Sequence, residues 1–371
     1  MTLVPKNLFR EGSISGERDI FVNKGHFHLE TPERIEVFCQ KLAEGWEERY
    51  AEYRRLWREL PEKRQVRSYP LLVDLELSKV CNLRCAMCPT TTINFEKEIN
   101  KGYMDFELIK KIIDEVEEKV FVVRLSYLGE ATLHKDFVEI ATYVKSHHIG
   151  EVSFLTNGWN LDVDFFERLA MAGIDWITVS VDGLDKEYNQ VRKPLVFRNI
   201  LANLKAIHKF KQKKGLTKPL IKIQGVWPAI RPNPEKYYNT IAPWVDLIAY
   251  NPLIDHLGID KDIIYEENFS CPQVYQRLTV GFDGRVMGCS NDVYTEEIIG
   301  NVNEDSIYEI WHGERLNRIR QLHDEKDGFL QIRKCRKCYY PRKTILDEKA
   351  YVNGRRIWIE NYQNRKQNIG E

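Results

Sequence analysis

The sequence has no net charge: 55 Lys and Arg balance 55 Asp and Glu. No field is left to gather nucleic acid or an acidic membrane surface, so neither is expected as a partner. No apolar run approaches the roughly 18 residues that a membrane span needs. The first residues, Met1-Thr2-Leu3-Val4-Pro5-Lys6-Asn7, lack the apolar stretch of a secretory signal. Cysteine is scarce, eight in 371 residues, and those eight are clustered. In a chain of this size that favours metal binding over disulfides, in a reducing compartment, and the cytoplasm is expected. Residues 1–70 hold no cysteine knuckle and no glycine-rich loop. With 30% charged and 43% hydrophobic residues, the chain reads as an ordinary folded protein with room for one large α/β domain and a smaller unit.

What is present is concentrated in Val80-Cys81-Asn82-Leu83-Arg84-Cys85-Ala86-Met87-Cys88-Pro89, three cysteines at C-x3-C-x2-C spacing. They follow Leu71-Leu72-Val73-Asp74-Leu75-Glu76-Leu77, which reads as a strand, so they lie in the loop leaving its C-terminal end. Three thiolates can hold three corners of a four-iron, four-sulfur cluster and leave one iron open for a small ligand. Structural zinc, the competing reading, prefers four protein ligands.

Ahead of that loop, residues 31–60 read as a helix, with Thr31 as N-cap, Pro32 at the first position and Pro61 as its end. Beyond Pro70, strand patterns alternate with helical ones. The strands are expected at Leu71–Leu77, Val120–Tyr127, Glu151–Leu155, Trp176–Val181, Leu220–Val226 and Val245–Tyr250. Helical patterns fall at about 104–118, 135–147, 162–172, 195–213 and 234–241. Six strands with crossover helices make a parallel sheet, and such folds keep their chemistry at the C-terminal strand ends. Those ends carry Gly129-Glu130, Thr156-Asn157-Gly158 and Ser180-Val181-Asp182-Gly183. Glycine lets a ligand approach the backbone, and the Glu130 carboxylate can accept from an ammonium group. The hydroxyl and amide groups suit a ribose or a carboxylate.

After residue 250 the crossovers stop. Arg277 to Cys289 reads as a β-hairpin around Asp283-Gly284, with Cys271 before it and Cys289 after it. A helical pattern over Ser306–Leu322 opens with Ser306 and Glu309 at capping-box spacing. Then comes the knuckle Cys335-Arg336-Lys337-Cys338. Cys271, Cys289, Cys335 and Cys338 form a closed set that could hold a cluster or a zinc ion. The basic run 333–343 reads as a solvated face or as electrostatic support for thiolates.

The C-x3-C-x2-C loop, with Gly129-Glu130 and Ser180 at the next strand ends, resembles the radical S-adenosylmethionine (SAM) enzymes. The segment from Cys271 to Cys338 resembles their SPASM/twitch extension, in the shorter form with one auxiliary cluster. The resemblance implies a partial (β/α)6 TIM-like barrel and two [4Fe-4S] clusters. Cys81, Cys85 and Cys88 would hold the cluster that binds SAM, and the other four cysteines the auxiliary one. Met87 would lie against the adenine, Gly129, Glu130 and Asn157 would border SAM, Ser180 would meet the ribose, and Arg192 would approach the SAM carboxylate. Ala131 stands where many relatives have proline. A flavodoxin- or ferredoxin-type reductant is the implied electron donor. The boundaries expected are 1–70 for an N-terminal helical extension, 71–250 for the radical SAM core, 251–345 for the SPASM/twitch unit and 346–371 for a tail.

The resemblance leaves the substrate open. With seven cysteines in clusters, the remaining Cys39 reads as a helix-packing thiol, which leaves no obvious hydrogen donor for an epimerase. Residues 1–70 are too short for a leader-peptide-binding domain of about 80–90 residues. The reading is therefore dehydrogenation of a secondary alcohol on a small polar metabolite, a sugar or aminocyclitol. Epimerisation of a sugar or peptide and peptide maturation are the alternatives, and a non-catalytic zinc-binding interaction protein is the alternative of another class. Substrate contacts are expected from Gln224, Tyr250, Asn251, Asp255 and His256, with Asp255 and His256 as candidate bases.

Overall fold

The computed structural model describes residues 27–92, 101–255 and 260–364. Thr31 caps α1 (Pro32–Ala43), its hydroxyl accepting from the Arg34 N–H at 3.3 Å, with Pro32 at the first position as expected. The single helix expected over 31–60 is two. Gly45, at φ +89°, breaks it, and α2 runs Glu47–Lys63. Pro61 does not end α2. Its ring nitrogen cannot donate to the Trp57 carbonyl, and the Gln276 side-chain amide takes that acceptor at 2.5 Å. The helix stops at Arg64, which is left-handed at φ 52°. Phe38, Leu42, Tyr50, Tyr53, Trp57 and Leu60 are buried, so both helices cover one end of the sheet.

The six expected strands are β2 (Leu72–Leu75), β3 (Val122–Arg124), β4 (Glu151–Thr156), β5 (Trp176–Ser180), β6 (Leu220–Val226) and β7 (Leu247–Asn251). Each pairs in parallel with the next. Between them lie α3 (Phe106–Val116), α4 (Phe137–Ser146), α5 (Val163–Met171), α6 (Asp185–Val191), α7 (Phe197–Lys214) and α8 (Pro234–Ile241). This is the partial (β/α)6 barrel. Its sheet is wider than six strands, however. The short β1 (Phe27–His28) pairs antiparallel with β7 at one edge. At the other, β8 (Arg277–Val280) joins parallel to β2, followed by β9 (Arg285–Met287) and β10 (Ile298–Asn301), so ten described strands form one sheet.

The hairpin turns at Asp283-Gly284 as expected. The capping box is present, Ser306 and Glu309 each bonding the other's backbone. The helical stretch it opens divides at Gly313 into α9 (Ile307–His312) and α10 (Glu314–Asp324). Residues expected as a tail form a second hairpin, β11 (Thr344–Val352) and β12 (Arg355–Tyr362). It docks on the core: Trp227 Nε1 donates to Glu348 at 3.1 Å, and Arg355 donates to the Leu29 and Glu30 carbonyls. No described helix is long and apolar enough to cross a membrane.

Candidate active site

The loop of Cys81, Cys85 and Cys88 leaves β2 and is pinned from three sides. Ser78 turns it, bonding the Val80 backbone at 3.1 Å. The Arg84 and Ala86 N–H groups donate to the Lys193 and Val191 carbonyls at the end of α6. Thr91 Oγ1 donates to the Cys88 carbonyl at 3.0 Å. None of the three forms a disulfide. They stand close enough to disfavour one another's ionisation: burial first, then neighbouring groups, raises Cys81 and pushes Cys85 up to about 11.

Gly129 closes against this loop. It sits at φ +68°, and a Cβ on it would stand 2.4 Å from the Ser78 carbonyl oxygen and 2.8 Å from that of Val80. The next N–H, of Glu130, donates to the same Val80 oxygen at 2.8 Å. Glu130 is buried, which raises its pKa against four protein donors. Oε1 takes the Thr132 N–H and the Thr132 and Thr156 hydroxyls, while Oε2 takes the Asn157 N–H at 2.7 Å. A carboxylate oxygen accepts about two bonds, so Oε2 keeps capacity for one more cationic donor. The Asn157 side chain turns to the cysteine loop, with Nδ2 2.7 Å from Asn82 Oδ1 and 4.0 Å from Cys81 Sγ.

Ser180 ends β5, buried opposite Gln224 of β6. Arg192 ends α6 in an ion pair with the buried Asp182, whose other oxygen accepts from the Val226 N–H at 2.7 Å. Burial opposes the Arg192 charge, but Asp182 and the Cys85 thiol beside it raise its pKa overall. Met87 is half-buried against the core. Of these residues, Asn157 reaches the Cys81 sulfur and Arg192 lies beside the Cys85 thiol. Asp255 lies apart from them, its Oδ2 3.5 Å from buried Arg342 and accepting from the Asp260 N–H at 3.1 Å. His256 lies outside the described residues.

The second set converges too. Burial and mutual repulsion push Cys338 up to about 12 and raise Cys271 and Cys335 further. Backbone N–H groups of Asn291 and Tyr340 aim at Cys289 and Cys338 sulfur at 3.3 and 3.4 Å. Lys334, within the basic run read as a solvated face or support for thiolates, is buried among these thiols, 3.4 Å from Asp292, and the thiols and that carboxylate raise its pKa against burial. In the same run Arg333, Arg336, Lys337 and Lys343 are exposed and Arg342 is buried. Two neighbours escaped the sequence reading, Asp292 and His323, whose Nδ1 accepts from the Cys271 N–H at 3.3 Å while Nε2 lies 3.7 Å from Cys335 Sγ. Nothing in the spacing of a histidine inside an amphipathic helix marks it.

Among the described residues, no three His, Cys, Asp or Glu side chains close on one ion-sized point.

Inside the barrel is a cavity of about 300 Å3. Ser126 and Tyr127, on the strand end that leads to Gly129, line one part of it. Ser290, Asn291, Tyr339 and Tyr340, each within two residues of an auxiliary cysteine, line another. Its floor is the inner face of α1 and α2, Cys39 included.

Comparison with known proteins agrees with this geometry. Residues 75–223 match the Radical SAM superfamily, and residues 271–339 match the iron-sulfur cluster-binding domain SPASM. A tungsten-containing aldehyde ferredoxin oxidoreductase cofactor-modifying protein of Pyrococcus furiosus is 24% identical over 296 residues, 66% of this chain and 82% of that one. A probable GTP 3',8-cyclase of Methanococcus maripaludis is 30% identical over 221 residues, 58% of this chain and 70% of its own. The mycofactocin maturases MftC of Mycobacterium tuberculosis and Mycobacterium ulcerans match over 29% and 31% of their own length. Among solved structures, BtrN in complex with AdoMet and 2-DOIA superposes with a TM-score of 0.52 at 19% identity, over 72% of this chain and 92% of that one.

Proposed function

Because the chain belongs to the radical SAM superfamily and carries a SPASM domain, we propose that it oxidises a secondary alcohol of a small polar metabolite. It is a radical SAM enzyme and uses S-adenosylmethionine and [4Fe-4S] clusters. When bound, these groups supply removal of one hydrogen atom from a substrate carbon and an acceptor for the electron that remains, the hydroxyl proton leaving to a base. Cys81, Cys85 and Cys88 hold the SAM-binding cluster, and Cys271, Cys289, Cys335 and Cys338 hold the auxiliary one. Glu130 Oε2 takes the ammonium of SAM, with Gly129 giving the backbone room to approach. Asn157 and Ser180 face its polar groups, and Arg192 its carboxylate. Asp255 and His256 remain the candidate bases.

The observation that carries the reading is the cavity inside the barrel, lined on one part by Ser126 and Tyr127 and on another by residues next to the auxiliary cysteines. At about 300 Å3 it is at the small end of ligand pockets. A single metabolite fits that volume better than a folded leader and its peptide. Barrel walls, with α1 and α2 beneath, exclude water from a reactive centre. Eight free thiols suit a reducing cytoplasm and a flavodoxin- or ferredoxin-type electron donor.

One observation favours a second reading. Cys39 lines the cavity floor, so the thiol expected only to pack a helix is also in the lumen, where a hydrogen donor for an epimerase would stand. The test is anaerobic reconstitution followed by SAM, reductant and fractionated metabolites in deuterated water. Oxidation yields a ketone two hydrogens lighter and tolerates Cys39→Ala. Epimerisation yields an inverted carbon bearing deuterium and stops in Cys39→Ala. Zinc without iron, and no 5′-deoxyadenosine, would refute both readings.

A further inference from the structure

The lumen holds more positive charge than negative. Arg54, Arg124, Lys222 and Arg277 line it against Asp74 and Glu151, four cations to two carboxylates, an excess of two. Both carboxylates are engaged. Asp74 is gripped by Arg277, whose Nε donates to Oδ2 at 2.8 Å while Nη2 closes the fork. Glu151 Oε1 accepts the Trp176 indole N–H at 2.5 Å and the Ser153 hydroxyl at 3.2 Å.

Arg124 is left over. It stands directly opposite Asp74 across the β2–β3 pair, yet its Nε comes only within 4.0 Å of Asp74 Oδ1. Among the described residues no hydrogen bond satisfies its guanidinium. Its side chain keeps 32% of its surface, although it lies on an inner strand in the middle of the sheet. That surface faces the cavity. Its charge is met only by that long ion pair to a carboxylate Arg277 already grips, and a guanidinium with unfilled donors in a recessed, low-dielectric space is costly unless a ligand completes it. Other polar atoms on the same wall are also unfilled: Gln276 Oε1, Trp57 Nε1, the Tyr127 hydroxyl and Asn291 Nδ2. Buried groups of this kind are normally paired, and here they surround an open volume with donors and one acceptor at several heights.

We propose that the substrate carries a carboxylate or phosphate group and that Arg124 takes it as a two-pronged fork from inside the barrel. Planar guanidinium donors match either oxyanion bidentately. The hydroxyls of the same molecule meet Gln276, Tyr127 and Asn291, which turns the polar end inward and the carbon to be oxidised toward the first thiol set. An amino-substituted substrate would bring an ammonium among four cations, so an acidic sugar or polyol is favoured over an aminocyclitol. The proposal rests on the lumen being the substrate site.

The reconstituted enzyme with SAM and reductant is offered a metabolite extract separated by ion exchange into anionic, neutral and cationic fractions, and 5′-deoxyadenosine above the unstimulated rate is read. Stimulation is expected in the anionic fraction. Phosphatase treatment then separates the sources, since a phosphate loses the signal and a carboxylate keeps it. The compound isolated from that fraction is titrated calorimetrically without turnover. Arg124→Gln binds it at least about 30-fold more weakly. Arg124→Lys, which keeps the charge and loses the fork, falls between, and SAM binding is unchanged in both. Stimulation by the neutral or cationic fraction overturns the proposal while sparing oxidation of a small metabolite. Stimulation by no fraction overturns both. Binding by Arg124→Gln within threefold of the natural protein overturns the role of Arg124.

Discussion

Replacing Gly129 by alanine tests whether the close approach of two strand ends builds the first thiol site. Alanine at φ +68° costs roughly 1–2 kcal/mol in the left-handed region. A second cost is steric. The new Cβ would stand 2.4 and 2.8 Å from the Ser78 and Val80 carbonyl oxygens, and backbone oxygens in a pinned loop cannot rotate away as a flexible side chain can. Relief requires moving the loop of Cys81–Cys88 off the Glu130 N–H, which bonds Val80 at 2.8 Å. Together these amount to roughly 3 kcal/mol, or about 100-fold against the assembled site. Gly45→Ala is the control, because Gly45 has φ +89° and nothing within 4 Å of the added Cβ, so it carries only the backbone cost. Iron per chain, cluster spectroscopy and 5′-deoxyadenosine formation are measured after anaerobic reconstitution. Gly129→Ala is expected to fall from about eight iron atoms toward about four, with the auxiliary signal kept and SAM cleavage down about 100-fold. Gly45→Ala keeps both clusters. A Gly129→Ala protein with full iron and full SAM cleavage, or a Gly45→Ala protein equally impaired, would refute the argument.

Three further outcomes are expected. His323→Phe removes the N–H facing Cys335 sulfur at 3.7 Å, so the auxiliary cluster, with iron unchanged, should lose a bond that favours its reduced form. Losing a net hydrogen bond of about 1 kcal/mol lowers the midpoint potential by about 40 mV, readable by redox titration. Burial lifts Glu76 to about 7, against Lys79 and the Phe282 N–H and with Asp283 and Arg285 also facing it. A raised carboxyl pKa means the folded state holds the proton more tightly. Its contribution, roughly 3 kcal/mol, is therefore full below the unfolded value near 4.5 and lost as pH rises through 7. Melting curves from pH 5 to 8 should flatten in Glu76→Gln, and an unchanged slope would exclude Glu76 as the source. Asp255→Asn leaves buried Arg342 short of one partner at 3.5 Å. Should Asp255 serve mainly in that pair, the melting temperature falls while the pH–rate profile keeps its shape; loss of the acidic limb, where a base is protonated, would instead identify it as the base.

The cysteine loop, the Gly-Glu junction and the six parallel strands were legible because each is a local pattern. A C-x3-C-x2-C spacing needs no distant information, and a strand buried on both faces writes itself as an apolar run. Pro61 misled for the opposite reason. Proline does remove a helix donor, but the vacant Trp57 carbonyl is filled by Gln276, a residue far along the chain that no window around Pro61 contains. The second hairpin was missed likewise. Residues 344–362 alternate weakly, and what makes them a docked element is contact with Trp227, Leu29 and Glu30. His323 belongs to the same class, since its partners Cys271 and Cys335 meet it only after folding.

The charged lumen was legible in part, and the signal was passed over. Asp74, Arg124, Glu151, Lys222 and Arg277 each sit in a run otherwise apolar enough to be a parallel strand. A charge in such a run has two outlets: toward the crossover helices, where it would be buried against apolar side chains, or toward the barrel interior. The first costs several kcal/mol, so the second holds, and the register bears it out by setting Asp74 against Arg124 and Thr279. Five charged positions on neighbouring strands therefore predict a polar interior before any coordinate is known. Chemistry in parallel folds is usually sought at strand ends and in the loops that follow them, whereas these charged side chains line the inward middle of the strands. The gripping of Asp74 by Arg277, which leaves Arg124 only a long ion pair to it, is the step that sequence could not supply: it depends on β8 joining the sheet beside β2, 203 residues separating Asp74 from Arg277.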